Sequence, residues 1–436
     1  MRIVILGAGE SGVGAALLAQ QQGEEVFVSD YGKIADKYKT ELTENNITFE
    51  ENQHTEDLIL NADVIIKSPG IPDKAPIIKK LLEKGVEIIS EIEFASRYTS
   101  AFIIGITGSN GKTTTTNLVY HILKTAEKNV VMGGNIGYSF ARLLTESKRD
   151  YYVLELSSFQ LDGIKNFTPN IAILLNITPD HLDRYEYKLE NYIASKFRIS
   201  MNQQLQHYFI YNGKDSSCTA YKKTTNALQI PIYLQNDENY NVLIVNDIRY
   251  NMAATRLKGV HNFFNTACAI TAAELVGISP QQIQAALITF INVPHRLEYV
   301  NTIDGVEYIN DSKATNVDAV YYALQAMTKP VIWIVGGQDK GNDYVPLAKF
   351  VNQKVKAVVC MGVDNKKLKD TYCEQFGDNF FETKSADAAV HTAAKIAQHG
   401  DVVLLSPACA SFDLFNNYEH RGELFKQAVN NLFKTV

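Results

Sequence analysis

Ten residues, Gly105-Ile-Thr-Gly-Ser-Asn-Gly-Lys-Thr-Thr114, gather the side chains best suited to chemistry in this chain of 436. An apolar run, Ala101-Phe-Ile-Ile104, precedes them, and a helical pattern from Thr115 to Leu123 follows. Strand, glycine-rich loop and helix form the layout of a nucleotide-phosphate cradle. Backbone N–H groups and the helix N-terminus face phosphate oxygens in such a loop. Lys112 is placed to reach the terminal phosphates, and the Thr113 hydroxyl to sit on a magnesium ion. The strict motif would have glycine at Ile106; G-x-x-G-x-N-G-K-T stands here instead. An ordinary tight turn is the competing reading. Gly105, Gly108 and Gly111 between a strand and a helix argue against it, so the chain is expected to spend ATP or GTP.

Acidic and imidazole groups follow at strand ends. Glu155 closes Tyr151-Tyr-Val-Leu154, with Ser157, Ser158 and Gln160 on the turn beyond. A carboxylate there, beside a phosphate loop, commonly holds Mg²⁺. The next strand leads into Asn176-Ile-Thr-Pro-Asp-His-Leu-Asp183, which puts His181 and Asp180 at a carboxyl edge where ligands bind in open α/β sheets. Lys196, in Ala194-Ser-Lys-Phe197, is by position alone an ordinary solvated lysine. A second glycine loop, Gly7-Ala-Gly-Glu-Ser-Gly12, matches G-x-G-x-x-G, with Asp30 ending the following strand. That loop fits an NAD(P)-dependent oxidoreductase, a sugar linked to a diphosphate, or a turn with no ligand. A regulatory nucleotide-binding module without catalysis is the third class of function.

The elements that must position these groups alternate in the α/β manner. Strands are expected at Arg2–Leu6, Glu25–Ser29, Ile47–Glu50 and Val64–Lys67, then at Val130–Met132, Tyr151–Leu156 and Ile171–Ile177. A third set falls at Val306–Ile309, Val331–Val335, Ala357–Cys360 and Val402–Leu405. Helices are expected at Ala15–Gln22, Ala75–Lys84, Leu189–Met201 and His261–Leu275, and residues 205–250 read as antiparallel strands at a domain edge. The fold class is therefore α/β, with three tandem α/β domains over 1–93, 94–298 and 299–436. The first is Rossmann-like, the central one resembles a P-loop ATPase and the last is again Rossmann-like.

A formal net charge of −6 gives no global basis for nucleic-acid binding. No apolar run is long enough to span a bilayer. Met1-Arg-Ile-Val-Ile-Leu-Gly7 reads as a first strand rather than a signal peptide. Five scattered cysteines without metal spacing fit a reducing, cytoplasmic location.

Taken together, several stretches resemble the Mur ligase family, the ATP-dependent amino-acid ligases of bacterial cell-wall precursor synthesis. They are Gly105–Thr114, Gly133-Gly-Asn-Ile-Gly137, Leu154–Leu161, Asp180–Arg184, Asn310–Asn316 and Ser406–Ser411, and they run through all three domains. Single motifs recur in folylpolyglutamate synthase; the Leu154–Leu161, Asn310–Asn316 and Ser406–Ser411 stretches together mark the branch that adds D-glutamate. The resemblance implies UDP-N-acetylmuramoyl-L-alanine and D-glutamate as substrates, an acyl phosphate as intermediate, and a role in peptidoglycan synthesis, cell shape and division.

It also implies the site. Gly108, Asn110, Gly111, Lys112, Thr113, Thr114, Asn262, Asn265, Arg296 and Asp311 match ATP contacts. Thr113, Glu155, His181 and Lys196 match ligands of two Mg²⁺ ions, with Lys196 carbamylated by CO₂; Lys112, His181 and Lys196 are the catalytic set. Ser11, Asp30, Gly70 and Asn135 match the UDP-sugar site, and Lys313, Thr315, Lys340, Ser411, Phe412 and Tyr418 the D-glutamate pocket. Relatives often follow the Asp30 position with Thr-Arg, whereas Tyr31-Gly32 stands here. Tyr31 as a stacking platform for the base and Tyr31 as a plain surface aromatic both stay open. A monomer without nucleic-acid partners is expected.

Overall fold

The structure is a computed structural model describing residues 1–436 apart from 222–224, 238–240, 258, 340 and 433–436. Three mainly parallel sheets give three α/β domains in tandem. The first has the strand order Thr48–Glu51, Glu25–Asp30, Arg2–Leu6, Val64–Lys67, Glu87–Ile89, all parallel. The central one runs Leu228–Ile232, Tyr208–Asn212, Ile171–Leu174, Phe102–Thr107, Tyr151–Glu155, Val130–Gly134, also parallel. The third runs Glu298–Ile303, Val306–Asn310, Val402–Leu405, Val331–Val335, Val355–Met361, Phe380–Thr383, antiparallel only in its first pair. Val331-Ile-Trp-Ile-Val335 and Ile171-Ala-Ile-Leu174 are buried throughout. Helices cover both faces of a parallel sheet, so its inner strands read as continuous apolar runs.

The first two sheets form one compact unit, residues 1–254 with 264–290; the third sheet belongs to a second, residues 255–263 with 291–436. Within the first unit the two domains are joined by buried and half-buried polar contacts. Arg142 pairs with Glu10 (2.7 Å) and with Glu41. Glu93 accepts the N–H groups of Lys165, Asn166 and Phe167 at 2.8–2.9 Å, and Glu91 accepts that of Ala141.

Residues 205–250 correct the sequence expectation. Tyr208–Asn212 and Leu228–Ile232 extend the central sheet in parallel, joined by the helix Ser216–Tyr221. Among the described residues of this stretch, only Gln235–Asn236, Val242–Val245 and Ile248–Asn251 are antiparallel, in a separate small sheet. A parallel neighbour needs a crossover, and the helix supplying it, Ser-Ser-Cys-Thr-Ala-Tyr, is too short and polar to announce itself. Glu87–Ile89, Phe380–Thr383 and the antiparallel Glu298–Ile303 are further strands the pattern does not reveal. Among the described residues no helix is long and apolar enough to cross a membrane.

Candidate active site

In an open α/β sheet a ligand crevice forms where two neighbouring strands send their connections to opposite faces. In the central sheet that point lies at Phe102–Thr107, flanked by Tyr151–Glu155 and Ile171–Leu174. The loop 108–111 leaves that strand and enters the helix Lys112–Thr125. Gly111 is the N-cap, at φ +85° and without a side-chain cap, and a Cβ there would come 2.5 Å from Asn265 Oδ1. Only glycine meets both demands without strain. Asn176 locks the loop from the adjacent strand end: its side chain accepts from Asn110 N (2.9 Å) and donates to Asn110 O (3.0 Å). Ser109 Oγ donates to Thr178 O (2.9 Å).

Two lysines converge on one carbonyl of this loop. Lys112 Nζ donates to Gly108 O (2.8 Å) and Ser109 O (2.9 Å), and Lys196 Nζ donates to Gly108 O (2.9 Å). Lys196 is not the solvated lysine its position suggests: it is 1% exposed, with its ammonium 4.6 Å from the Tyr192 ring centre one helical turn back. Burial, and then the charge of Lys112, hold it well below the usual lysine range. Glu155 is likewise buried; Oε1 accepts from Asn135 Nδ2 (2.9 Å), while Oε2 has no hydrogen-bond partner. A buried carboxylate oxygen left without a donor is costly unless something cationic completes it. Thr113 and Thr114 are buried at the helix start.

His181, in the left-handed region at φ +52°, lies edge-on to the Phe159 ring and 3.6 Å from Asp180. Among the described residues no three His, Cys, Asp or Glu side chains converge as a metal cluster. Magnesium does not require one, since it commonly takes one or two carboxylates together with phosphates and waters. The orphaned Glu155 oxygen and the Thr113 hydroxyl suit that donor set.

The first sheet has its crevice between Arg2–Leu6 and Val64–Lys67. Gly12 packs against the preceding turn so closely that a Cβ would collide with Gly7 O. Asp30 closes the same turn, Oδ2 accepting from Ala8 N (2.7 Å) and Oδ1 from Gly32 N (2.8 Å). Ser11 is half-buried on the helix Glu10–Gln21. Gly70 is exposed, and its carbonyl and that of Pro69 accept from Arg184, whose guanidinium lies 4.6 Å from the Phe159 ring. Tyr31 is 75% exposed, with its ring 5.5 Å from that of His54.

In the second unit the crevice strand is Val402–Leu405, flanked by Val306–Asn310 and Val331–Val335. Loops 311–316, 336–339 and 406–412 therefore stand side by side. Asp311 is buried, accepts from Ser406 Oγ (2.8 Å) and Leu297 N (3.2 Å), and is pushed up to about 7 by burial. Arg296 is half-buried and its charge opposes that rise. Lys313 Nζ lies 4.9 Å from the Tyr418 ring. Ser411 is buried, Thr315 and Phe412 are exposed, and Lys340 lies outside the described residues. Asn262 and Asn265 are both buried on the helix Val260–Leu275; Asn265 belongs to the first unit, Asn262 to the second.

Comparison with known proteins agrees across the same three domains. Residues 2–77 match the MurD N-terminal domain, 106–273 the Mur ligase middle domain, and 295–409 the Mur ligase glutamate ligase domain. The chain is 52% identical over 443 residues to UDP-N-acetylmuramoylalanine--D-glutamate ligase of Christiangramia forsetii, covering 99% of each chain. It belongs to the Mur ligase family. The protein of the same name from Bacteroides thetaiotaomicron is 50% identical, over 99% of this Mur ligase and 100% of its own length. Two solved structures share the fold. They are UDP-N-acetylmuramate-alanine ligase MurC of Thermotoga maritima (TM-score 0.62, 19% identity, 99% and 100% covered) and MurF ligase of the same organism in complex with ADP (TM-score 0.63, 17%, 94% and 96%). This Mur ligase is thus a carbon–nitrogen ligase, and its full-length relatives do not support the oxidoreductase reading of Gly7–Gly12.

Sequence reasoning passed over Asn176 as the loop's clamp and Tyr192 as the ring against Lys196. The second had a signal, since Tyr192 and Lys196 stand four apart and so share a helix face. Asn110 and Asn176 are far apart in sequence and carry none.

Proposed function

We propose that this Mur ligase joins D-glutamate to UDP-N-acetylmuramoyl-L-alanine at the expense of ATP, through an acyl phosphate, in the cytoplasm and as a monomer. The observation that carries this reading is the convergence of Lys112, Lys196 and the unpartnered Glu155 oxygen around the phosphate loop, in a chain about half identical to ligases of that name over its full length. A carboxylate is a poor acylating agent because oxide is a poor leaving group. Moving the γ-phosphoryl of ATP onto the alanyl carboxylate supplies a better one. The D-glutamate amine then attacks the acyl carbon and phosphate departs.

In this reading the domains divide at 1–93, 94–298 and 299–436 and hold the sugar nucleotide, ATP and the amino acid. Gly108, Asn110, Gly111, Lys112, Thr113, Thr114 and Asn265 hold ATP, with Asn262, Arg296 and Asp311. Ser11, Asp30, Gly70 and Asn135 bind the UDP-sugar. Lys313, Thr315, Lys340, Ser411, Phe412 and Tyr418 take D-glutamate, whose two carboxylates call for cations and hydroxyls. Thr113 and Glu155 would hold one magnesium ion, and His181 with a carbamylated Lys196 a second; when bound, the ions screen the repulsion between anionic acid and anionic phosphate. Lys112 adds its own charge to that screening.

The burial of Lys196 beside Lys112 supports carbamylation. The amine lone pair forms an N–C bond to CO₂, one C=O electron pair moves to oxygen, and the amine proton leaves. A neutral amine, whose protonated form burial and Lys112 disfavour, becomes an anion beside that cation. The test is phosphate release and amide formation with ATP, Mg²⁺, the UDP-muramoyl-alanine substrate and a panel of D- and L-amino acids. Absence of amide with D-glutamate would overturn the assignment.

A further inference from the structure

Arg421 has no part in the site as read so far, yet its side chain is fully buried at the start of the helix Tyr418–Leu432. Its guanidinium spans two loops. Nε donates to Ser312 Oγ (3.0 Å), Nη2 to Ser312 O (2.8 Å) and Nη1 to Cys409 O (3.1 Å). A third loop passes close by, for a Cβ added at Gly337 would lie 3.2 Å from Nη1. Ser312 Oγ passes the connection on to Tyr418 O (2.8 Å). One side chain therefore ties together the loops bearing Lys313 and Ser411, along with the helix that carries Tyr418, and the loop 336–339 joins them through Gln338 N, which donates to Ala410 O (2.8 Å).

The acceptors are two carbonyls and a hydroxyl, all neutral. The Cys409 thiol, Asp413 and Asp311 act on the guanidinium only through space. A buried cation without a contacting anion is expensive, whereas an arginine kept only to bridge loops would serve as well beside a paired carboxylate. Positive charge without a contacting anion, behind a pocket read as taking a substrate with two carboxylates, is favourable once that substrate arrives.

We propose that Arg421 is a positioning residue for the incoming amino acid: it sets the spacing of the three loops and supplies a field that selects a second carboxylate. This rests on the D-glutamate reading above. The residue does not touch the substrate and acts through Ser312 and Cys409.

The experiment compares the full-length enzyme with Arg421→Lys, Arg421→Met and Ser312→Ala, measuring kcat and KM for each substrate and the preference for D-glutamate over D-glutamine. In Arg421→Met the D-glutamate KM should rise about ten-fold or more, with KM for ATP and the UDP-substrate within about two-fold of wild type. The D-glutamate preference should shrink in the same variant and recover in part in Arg421→Lys. Ser312→Ala keeps the buried charge and loosens one loop. It should raise the D-glutamate KM several-fold while keeping the preference, and it decides the matter should Arg421→Met fail to fold. Equal KM shifts for all three substrates, an unchanged preference in Arg421→Met, or an unchanged D-glutamate KM in Ser312→Ala would overturn the proposal. Wild-type activity with some other amino acid alone would sink the substrate reading; the same variants assayed with that amino acid would still decide the role of Arg421.

Discussion

Glu91 offers a measurable consequence of how the first two domains join. It is 2% exposed; Oε1 accepts the Ala141 N–H at 2.5 Å, and Oε2 has no partner. It also opens the short helix Glu91–Ser96, where the helix dipole favours an anion. That favour is about 0.3–1 kcal/mol, against a desolvation cost of several kcal/mol for a buried ion. Burial wins, and the Glu10 carboxylate, itself paired with Arg142, adds to it, so the carboxyl is pushed up to about 8 from 4.5.

Between those values the folded chain holds a proton that the unfolded chain has released. Unfolding therefore releases a proton, and raising the pH favours the unfolded state by up to ~1.4 kcal/mol per pH unit. The whole window amounts to roughly 5 kcal/mol. Glu91→Gln keeps an acceptor for Ala141 and cannot ionise. Its new amide donors carry a constant cost of about 1–3 kcal/mol, which does not vary with pH. The stability of Glu91→Gln relative to wild type should therefore climb by several kcal/mol between about pH 5 and pH 8, crossing from less stable to more stable. Urea unfolding followed by far-UV circular dichroism reads this, because the lone Trp333 lies in the other unit and would report the wrong transition. Two stability curves that stay parallel across that range would show Glu91 to be ionised in the folded protein and the reasoning to be wrong.

Other outcomes follow from the phosphate loop. Lys112→Ala should abolish amide formation while UDP-sugar binding, measured by calorimetry, survives; joint loss of both would contradict separate sites. Lys196→Ala should be inactive and regain part of its turnover with high acetate, and wild type should slow when CO₂ is stripped from the buffer. Gly111→Ala forces a side chain into φ +85° and against Asn265. It should destabilise the chain by about 1–2 kcal/mol, seen in urea unfolding, and weaken nucleotide binding more than sugar-nucleotide binding.

Much of this was legible in the sequence because it is local. Residues 105–114 show strand, glycine turn and helix in sequence, and the glycines at 108 and 111 stand where the backbone enters conformations other residues resist. The inner strands were readable because burial on both faces leaves continuous apolar runs, as at Val331–Val335. Edge strands such as Phe380–Thr383 are only half-covered and lack that pattern.

What only the tertiary structure decided is who meets whom. Lys196 looks solvated in sequence, and becomes a buried amine beside Lys112 because the helix Leu189–Phe197 lays it against the carbonyl of Gly108. Asn135 reaches Glu155 across adjacent strands, and Arg421 ties together loops a hundred residues apart. Periodicity and turn chemistry act over a few residues and are written along the chain. Desolvation and charge depend on neighbours brought together in space, and so they appear only once helices and loops have packed around each sheet.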